Sequence, residues 1–202
     1  KESRVTETTD RRTLLADAAI ETLAAAGMRG FTHRAVDRTA NLPEGSCSNV
    51  FRTRQALLHA TVDRLTELDA RELTALPDLA TADRDTFVTA AVDLLRHWTT
   101  TGRTRMLARY ELALESTRRP ELRIALAAAG TRIRALAEHM LAAAGAPDPA
   151  VGAELLVAHL DGLVFDRLAG AGALELTPEQ LTPYIGRLIR TMVTPDEPHG
   201  TP

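Results

Sequence analysis

The sequence predicts an all-α protein, and three observations support this fold class. Hydrophobic residues make up 45% of the 202-residue chain but aromatic residues only 3%, so alanine and leucine supply most of the apolar surface, as is typical of packed helices. Valine, isoleucine and aromatic residues never form the alternating run that a half-buried strand requires. Apolar residues instead recur at helical spacing between breaks rich in Gly and Pro, which predicts about nine helices.

The first predicted helix covers residues 11–26, where apolar residues share one face. Gly27 and Gly30 end it, because glycine accepts the positive φ of a helix C-terminus. The polar segment that precedes it, residues 1–9, is expected to be a disordered arm.

The next segment predicts two short helices around a turn. Thr32 is the expected N-cap of a second helix at about residues 33–39. Asn41 lies in the following turn, since asparagine enters the left-handed region more readily than most residues. Pro43 suits the first position of a third helix over Glu44–Asn49. Two short helices joined by such a turn form a helix-turn-helix.

The remaining helices are separated by segments rich in Pro, Gly or Thr. A flexible tail is expected at the end of the chain, over residues 194–202. The predicted helices cover residues 53–74, 81–100, 103–117, 121–144, 150–169 and 177–193.

The helix-turn-helix carries a resemblance to a known family. The matching residues are Phe31-Thr32, Val36, Ala40-Asn41-Leu42-Pro43, Gly45-Ser46, Ser48-Asn49, Phe51, Arg54 and Leu57-Leu58. Together they resemble the DNA-binding domain of the tetracycline-repressor (TetR) family. In that family a Gly-Thr/Ser pair opens the recognition helix, a Phe closes it, and a Lys or Arg opens the long fourth helix. The chain departs from this pattern at Asp37, Asn41 and Ser48, where alanine, glycine and tyrosine are usual.

The resemblance implies an N-terminal DNA-binding domain over residues 10–53 and a ligand-binding and dimerisation domain over residues 54–193. Hydroxyl and amide side chains bind base edges, glycine permits close approach to the duplex, and arginine binds phosphate. The expected DNA-binding residues are Thr32, His33, Arg34, Gly45, Ser46, Ser48, Asn49, Arg52 and Arg54.

In the family, the larger domain holds a small-molecule cavity and its last two helices form a four-helix dimer bundle. The rarer apolar and aromatic residues are the candidate ligand pocket, with plain core packing as the alternative for each: Trp98, Met106, Tyr110, Leu114, His159 and Phe165. Residues at helical spacing on the last two helices are the candidate dimer interface, the alternative being that they close the monomer core: Leu155, Ala158, Gly162, Tyr184, Ile185 and Leu188.

The charge distribution fits a DNA-reading head weakly. Residues 1–64 hold 10 Lys and Arg against 8 Asp and Glu, whereas residues 65–202 hold 14 against 19. The single cysteine, Cys47, excludes internal disulfides and multi-cysteine metal sites, and we expect it to face the core. The sequence contains no catalytic motif, and no cofactor or metal is expected. With no apolar run long enough for a membrane span and no signal peptide, a cytoplasmic location is expected.

These observations predict a homodimeric transcriptional regulator, acting as a repressor that a small-molecule effector releases from double-stranded operator DNA. The alternative is a helical protein that binds a small molecule or a partner and retains a weak or vestigial DNA head, for which Asp37 and Glu44 are the main support. An enzyme is the third class.

Overall fold

The structure, a computed structural model, describes residues 2–75, 83–171 and 175–193, and the predicted tail lies outside them. The predicted all-α class is confirmed, since these residues form helices and no strand. The helices are α1 (Glu2–Gly30), α2 (His33–Thr39), α3 (Ser46–Val50), α4 (Arg54–Ala75), α5 (Arg84–Thr99), α6 (Arg103–Ser116), α7 (Pro120–Ala143), α8 (Pro149–Ala169) and α9 (Pro178–Val193).

The chain forms two compact units. The first contains residues 1–71 and 102–129, and the second contains residues 72–101 and 130–202. The domain boundary expected between residues 53 and 54 therefore falls inside the first unit. The reason is that Leu57, Leu58, Val62 and Leu65 of α4 belong to the same buried core as Leu15 of α1. Helix α6 also packs against α1, where the backbone N–H of Met28 donates to Glu111 Oε2 at 3.3 Å.

Helix α1 differs from its prediction at its beginning. It starts at Glu2, so most of the segment expected to be a disordered arm is helical. The segment contains neither Gly nor Pro, the two residues least compatible with a helix interior. At its other end the helix is kinked at Gly27, whose φ of 60° confirms the predicted break.

The helix-turn-helix forms as predicted except at the start of its third helix. Thr32 caps α2, its Oγ1 accepting the Ala35 N–H at 3.2 Å, and Asn41 has a φ of 53° in the turn. However, α3 begins at Ser46 and not at Glu44, because Gly45 has a φ of 91°, which no α-helix accommodates. Around these helices Leu15, Leu23, Phe31, Val36, Phe51 and Leu57 form part of one buried core.

In the second unit, α5 packs against both α8 and α9. Helix α5 begins after Asp83, whose carboxylate accepts the Thr86 N–H at 2.8 Å, so its start lies later than predicted. Asp148 caps α8 in the same way. The core of this unit includes Val88, Val92, Leu95, Leu141, Leu156, Val164, Ile185 and Ile189.

Candidate nucleic-acid interface

A buried carboxylate fixes the recognition helix α3 to α2. Asp37 is 1% exposed, and its Oδ2 accepts the Gly45 N–H at 2.9 Å while its Oδ1 accepts the Cys47 N–H at 2.7 Å. The first backbone N–H groups of a helix have no partner within the helix, so an acidic side chain satisfies them. Asp37, a departure from the family pattern, therefore holds the recognition helix in place.

The polar residues expected on α3 divide between its two sides. Ser48 and Asn49 are exposed, and the Ser48 hydroxyl donates to the Gly45 carbonyl at 3.0 Å. Ser46 is 6% exposed and its Oγ accepts a hydrogen bond from Arg11 at 3.2 Å. The expectation that Ser46 contacts base edges is therefore corrected, because its hydroxyl faces α1. Gly45 leaves the approach to α3 open, since a Cβ there would meet Ser48 Oγ only at 3.9 Å.

The residues at the start of α2 have different roles. Thr32 makes the capping bond described above, and its side chain is exposed at the N-terminal end of α2. His33 Nε2 lies 2.7 Å from the Phe51 carbonyl oxygen, so the imidazole donates there and connects the start of α2 to the end of α3. Arg34 is exposed, and its Nε lies 3.9 Å from Glu44 Oε2 in a solvent-exposed ion pair of little energetic weight.

The two arginines after α3 also differ. Arg52 is exposed in the connection to α4. Arg54, the first residue of α4, donates from Nε to the Phe31 carbonyl at 3.1 Å and from Nη2 to the Met28 carbonyl. Arg54 thus binds the carbonyl groups that follow the kink of α1, a structural role that sequence reasoning did not predict.

Cys47 is fully buried in the core of the first unit, as expected. Burial, together with the negative charge of Asp37, raises the pKa of the Cys47 thiol to about 12. A thiol that stays neutral is a poor nucleophile, so this arrangement does not suit a redox sensor.

Two residues near α3 were missed by sequence reasoning. Besides the Arg11 contact to Ser46, the guanidinium carbon of Arg12 lies 4.7 Å from the centroid of the Phe51 ring. The sequence does show two adjacent arginines, Arg11 and Arg12, at the start of the first predicted helix. Local spacing does not indicate that they contact Ser46 and Phe51, which lie 35 or more positions away.

The six candidate pocket residues lie in different surroundings. Met106, Tyr110 and Leu114 belong to the first unit, and the others to the second. Leu114 is 61% exposed and Phe165 42% exposed, so these two side chains lie largely at the surface of their units. Met106 is buried and Tyr110 partly buried.

The other two pocket candidates are bound to neighbouring side chains. Trp98 is buried, and its Nε1 donates to Glu72 Oε2 at 3.4 Å, while the other carboxylate oxygen of Glu72 lies 2.6 Å from His97 Nε2. His159 is exposed and hydrogen-bonded to the Tyr184 hydroxyl, so it connects α8 to α9 at the surface.

The second unit contains a cavity of about 400 Å³ between the end of α5, the end of α8 and the start of α9. Its walls are mainly apolar, and Arg96, Arg167 and Glu175 contribute charged groups. None of the six candidate pocket residues lines it. The lining residues are Leu95, Arg96, Thr99, Thr100, Leu163, Val164, Arg167, Glu175, Leu176, Thr177, Pro178 and Leu181.

One face of α8 is an exposed apolar stripe. Val151 is 50% exposed, Leu155 58% and Phe165 42%, and the small residues Ala158 and Gly162 between them are exposed as well. Steps of four and three residues alternate along the stripe, which is the spacing of a helix–helix seam. Nothing would lie within 4 Å of a Cβ at Gly162. Phe165 therefore belongs to the stripe that contains three of the predicted dimer residues.

On α9 the predicted dimer residues separate. Tyr184 is 36% exposed and Leu188 partly buried, whereas Ile185 is 0% exposed. Ile185 is consequently reassigned from the dimer interface to the core of the second unit. Its neighbour Gly186 lies against α5, since a Cβ on Gly186 would be 3.8 Å from Val88 Cγ2.

Across residues 2–75, 83–171 and 175–193, no helix has the length and apolar content that a membrane crossing requires. Nor do those residues contain a group of three or more His, Cys, Asp or Glu side chains placed to hold a metal ion.

Comparison with known proteins identifies the family. Residues 82–195 match the family model for the tetracyclin repressor-like C-terminal domain, which is more than half of the chain. No curated protein matches.

Solved structures resemble the chain along most of its length. A TetR-family member from Streptomyces coelicolor A3 is 31% identical, with a TM-score of 0.69, and the alignment covers 88% of this chain and 97% of that one. The multidrug binding protein EbrR in complex with ethidium is also 31% identical, with a TM-score of 0.67 and the same coverage. A transcriptional regulator from Rhodococcus sp. Rha1 is 22% identical with a TM-score of 0.73, covering 90% and 95% of the two chains, which shows the fold.

The helix-turn-helix geometry, the match of the C-terminal domain and the full-length relatives agree, and this chain belongs to the TetR family of transcriptional regulators.

Proposed function

We propose that this regulator is a homodimeric repressor, which binds operator DNA through α3 and is released from it by a small-molecule effector. The observation that carries the proposal is the attachment of α3 through Asp37, which holds a short helix in one orientation with Ser48 and Asn49 exposed. Amide and hydroxyl groups presented in this way suit the donor and acceptor pattern of the major groove, and Asn suits adenine.

The same observation weighs against the alternative of a vestigial head. Asp37 was one of two residues that supported a vestigial head, but the Asp37 carboxylate stabilises the recognition helix. Glu44, the other support, is exposed and paired with Arg34, so its charge is partly compensated at the surface.

The exposed stripe on α8 supports a homodimer. Large apolar side chains at steps of three and four residues are unusual on the surface of a monomer and mark an interaction site. Small residues between them, Ala158 and Gly162, permit close approach of a second helix. In a two-fold dimer the stripe would pack against the same stripe of a second copy, with Tyr184 of α9 beside it.

For the effector we propose the cavity between α5, α8 and α9 as the binding site. Its volume of about 400 Å³ lies in the range of small-molecule pockets, and its mainly apolar wall with a few charged groups has the composition of such sites. The pocket residues predicted from the sequence, Trp98, Met106, Tyr110, Leu114, His159 and Phe165, stay a prediction for an alternative location. EbrR, which is 31% identical, has been solved with ethidium and with malachite green, so aromatic cations are the first compounds to test.

The experiment that tests the proposed function is DNA binding as a function of salt. Fluorescence anisotropy with a labelled pool of duplexes measures the association constant between low and physiological salt concentrations. A dimer that neutralises about six or more phosphates gives a log–log slope steeper than about −5. Binding that is insensitive to salt, or no binding by a protein that is folded and dimeric, would reject the proposal.

A further inference from the structure

The recognition helix has no positive charge of its own. No charged residue lies within α3, Ser46–Val50, and Glu44, which is acidic, lies just before it. Attraction to the duplex depends on arginine and lysine near phosphates. The cations that accompany α3 into the groove must therefore come from other segments of the chain.

Arg54, the family's expected basic residue, is already bound to the protein backbone. Its Nε and Nη2 both donate to carbonyl groups, those of Phe31 and Met28. These two hydrogen bonds orient the guanidinium towards the end of α1. Arg54 is therefore well placed to position α4, and less well placed to bind a phosphate in a bidentate manner.

Two consecutive arginines of α1 contact the two ends of α3. Arg11 donates from Nη2 to the hydroxyl of Ser46, the first residue of α3, at 3.2 Å. The Arg12 guanidinium lies over the ring of Phe51, which is the C-cap of α3, with 4.7 Å between its Cζ and the ring centroid. Both arginines are exposed. Each of these contacts uses only one part of the planar guanidinium. The guanidinium of arginine binds phosphate through a pair of parallel N–H groups.

We propose that Arg11 and Arg12 form the phosphate anchor of the recognition helix, each binding a backbone phosphate beside the groove that α3 enters. The inference rests on the proposed function. Through Ser46 and Phe51, the anchor connects the phosphate contact to the position of α3. It also gives Ser46 a role in place of base contact, as the hydroxyl group that orients the Arg11 guanidinium.

The test compares single-residue variants by the salt dependence of binding, since phosphate contacts determine the slope and folding defects do not. The probe is a fluorescein-labelled random pool of duplexes of roughly 30 base pairs, close to three helical turns. We expect Arg11→Ala and Arg12→Ala each to make the log–log slope shallower by about 1 for every phosphate that the variant no longer neutralises, and so by about 2 per dimer. We also expect each variant to weaken a selected duplex and the random pool by the same factor.

Two further variants keep the test independent of folding. Arg11→Gln retains a donor for Ser46 but removes the charge, so it should remain folded and lose the same part of the slope. Arg12→Lys retains the charge, so it should keep the slope of the unmodified protein. Arg71→Ala is the matched control, because Arg71 is an exposed arginine of the same unit that pairs with Glu67, and its slope should not change.

The outcomes separate this inference from the proposed function. If the unmodified protein binds DNA with a steep slope, and the folded Arg11→Gln and Arg12→Ala variants keep that slope, the arginines only support α3 and the anchor is rejected. If the unmodified protein does not bind the pool at all, the proposed function fails first, and the anchor fails with it. Thermal unfolding of each variant establishes that folded proteins are being compared.

Discussion

The carboxylate of Asp37 accepts the backbone N–H of Cys47 at 2.7 Å, and this bond joins the middle of α2 to the start of α3. The second oxygen of Asp37 accepts the N–H of Gly45, so one buried side chain satisfies the backbone on both sides of Ser46. The orientation of the recognition helix therefore depends on a residue that is itself buried, with 1% of its surface exposed.

Asp37→Ala should destabilise the protein and weaken DNA binding together. Hydrogen bonds to a charged group contribute about 1.5–3 kcal/mol each, and the N–H groups of Gly45 and Cys47 would lose their acceptor. We expect a loss of about 3 kcal/mol in the free energy of unfolding, measured by urea denaturation. Asp63→Ala, which removes an exposed aspartate of α4, is the control and should change stability by less than about 0.5 kcal/mol. Equal stability of the two variants would contradict the role given to Asp37.

This residue also illustrates what the sequence could predict. Gly27 and Asn41 act through their own backbone geometry, and Thr32 acts through a side-chain bond to an N–H only three residues away, so the kink, the turn and the cap were predicted correctly from local signals. The start of α3 was misplaced because Gly45 has a φ of 91° and its N–H is bound by Asp37, eight positions earlier, a contact that no local pattern reveals. From the sequence, Asp37 could be interpreted only as a departure from the family pattern. The structure shows that its carboxylate binds the backbone at the start of α3.

The division of predicted site residues between surface and core has a similar cause. Helical spacing indicates which residues share a face, but not which neighbour covers that face. Ile185 and Tyr184 are adjacent, yet only the first is buried. Ser46 and Ser48 have the same side chain, yet Ser46 is buried and bonded to Arg11 whereas Ser48 is exposed. Such assignments require the tertiary structure.

Asn49→Ala and Arg54→Ala should affect DNA binding in different ways. Asn49 is exposed on α3, so its loss should relax the preference at particular base positions, with about 1–3 kcal/mol of discrimination at stake. Arg54 contacts the backbone of α1, so its loss should weaken all duplexes about equally and also lower the stability of the protein. Competition between a selected duplex and the random pool measures both effects. If Arg54→Ala altered base preference and Asn49→Ala did not, the assignment of α3 as the reading helix would be wrong.

Cys47 should be unreactive in the folded protein. With a pKa of about 12 instead of the ordinary 9.0, the thiol is only about one part in ten thousand thiolate at pH 8, compared with roughly a tenth for an ordinary cysteine. We expect modification by a thiol reagent at pH 8 to be at least about a thousandfold slower in buffer than in denaturing urea. The neutral thiol stabilises the fold below the ordinary pKa of 9.0, and this contribution is lost as the pH rises towards 12. Rapid modification of the folded protein would indicate an exposed or activated thiol.

Leu155→Glu should convert the dimer into a folded monomer. The substitution places a charge in the middle of the exposed stripe on α8, where it would be buried against a second copy of the helix. Ile124→Glu is the matched control, because Ile124 is 75% exposed but lies on α7. Sedimentation equilibrium measures the mass of both variants. A dimer that persists in Leu155→Glu would place the interface elsewhere.

Filling the cavity of the second unit should abolish effector binding. Leu181 lines the cavity, so Leu181→Trp should remove the thermal stabilisation that we expect from ethidium or malachite green, about 2.7 kcal/mol at a hundredfold excess over Kd. Thr182→Trp, at an exposed neighbour on α9, should keep it. Because coupling is reciprocal, DNA should weaken dye binding by the same factor by which dye weakens DNA binding. Retained stabilisation in Leu181→Trp, with loss in Tyr110→Ala, would favour the alternative location.

Selection of bound duplexes from a random pool tests the central claim most directly. A dimer that reads DNA through α3 should enrich a two-fold symmetric sequence, whose half-sites lie one helical turn apart, roughly 34–36 Å, or a multiple of that distance. Asn49→Ala should alter the same base position in both half-sites. Enrichment of no sequence, or of a site without two-fold symmetry, would contradict the account of this chain as a dimeric DNA-binding repressor.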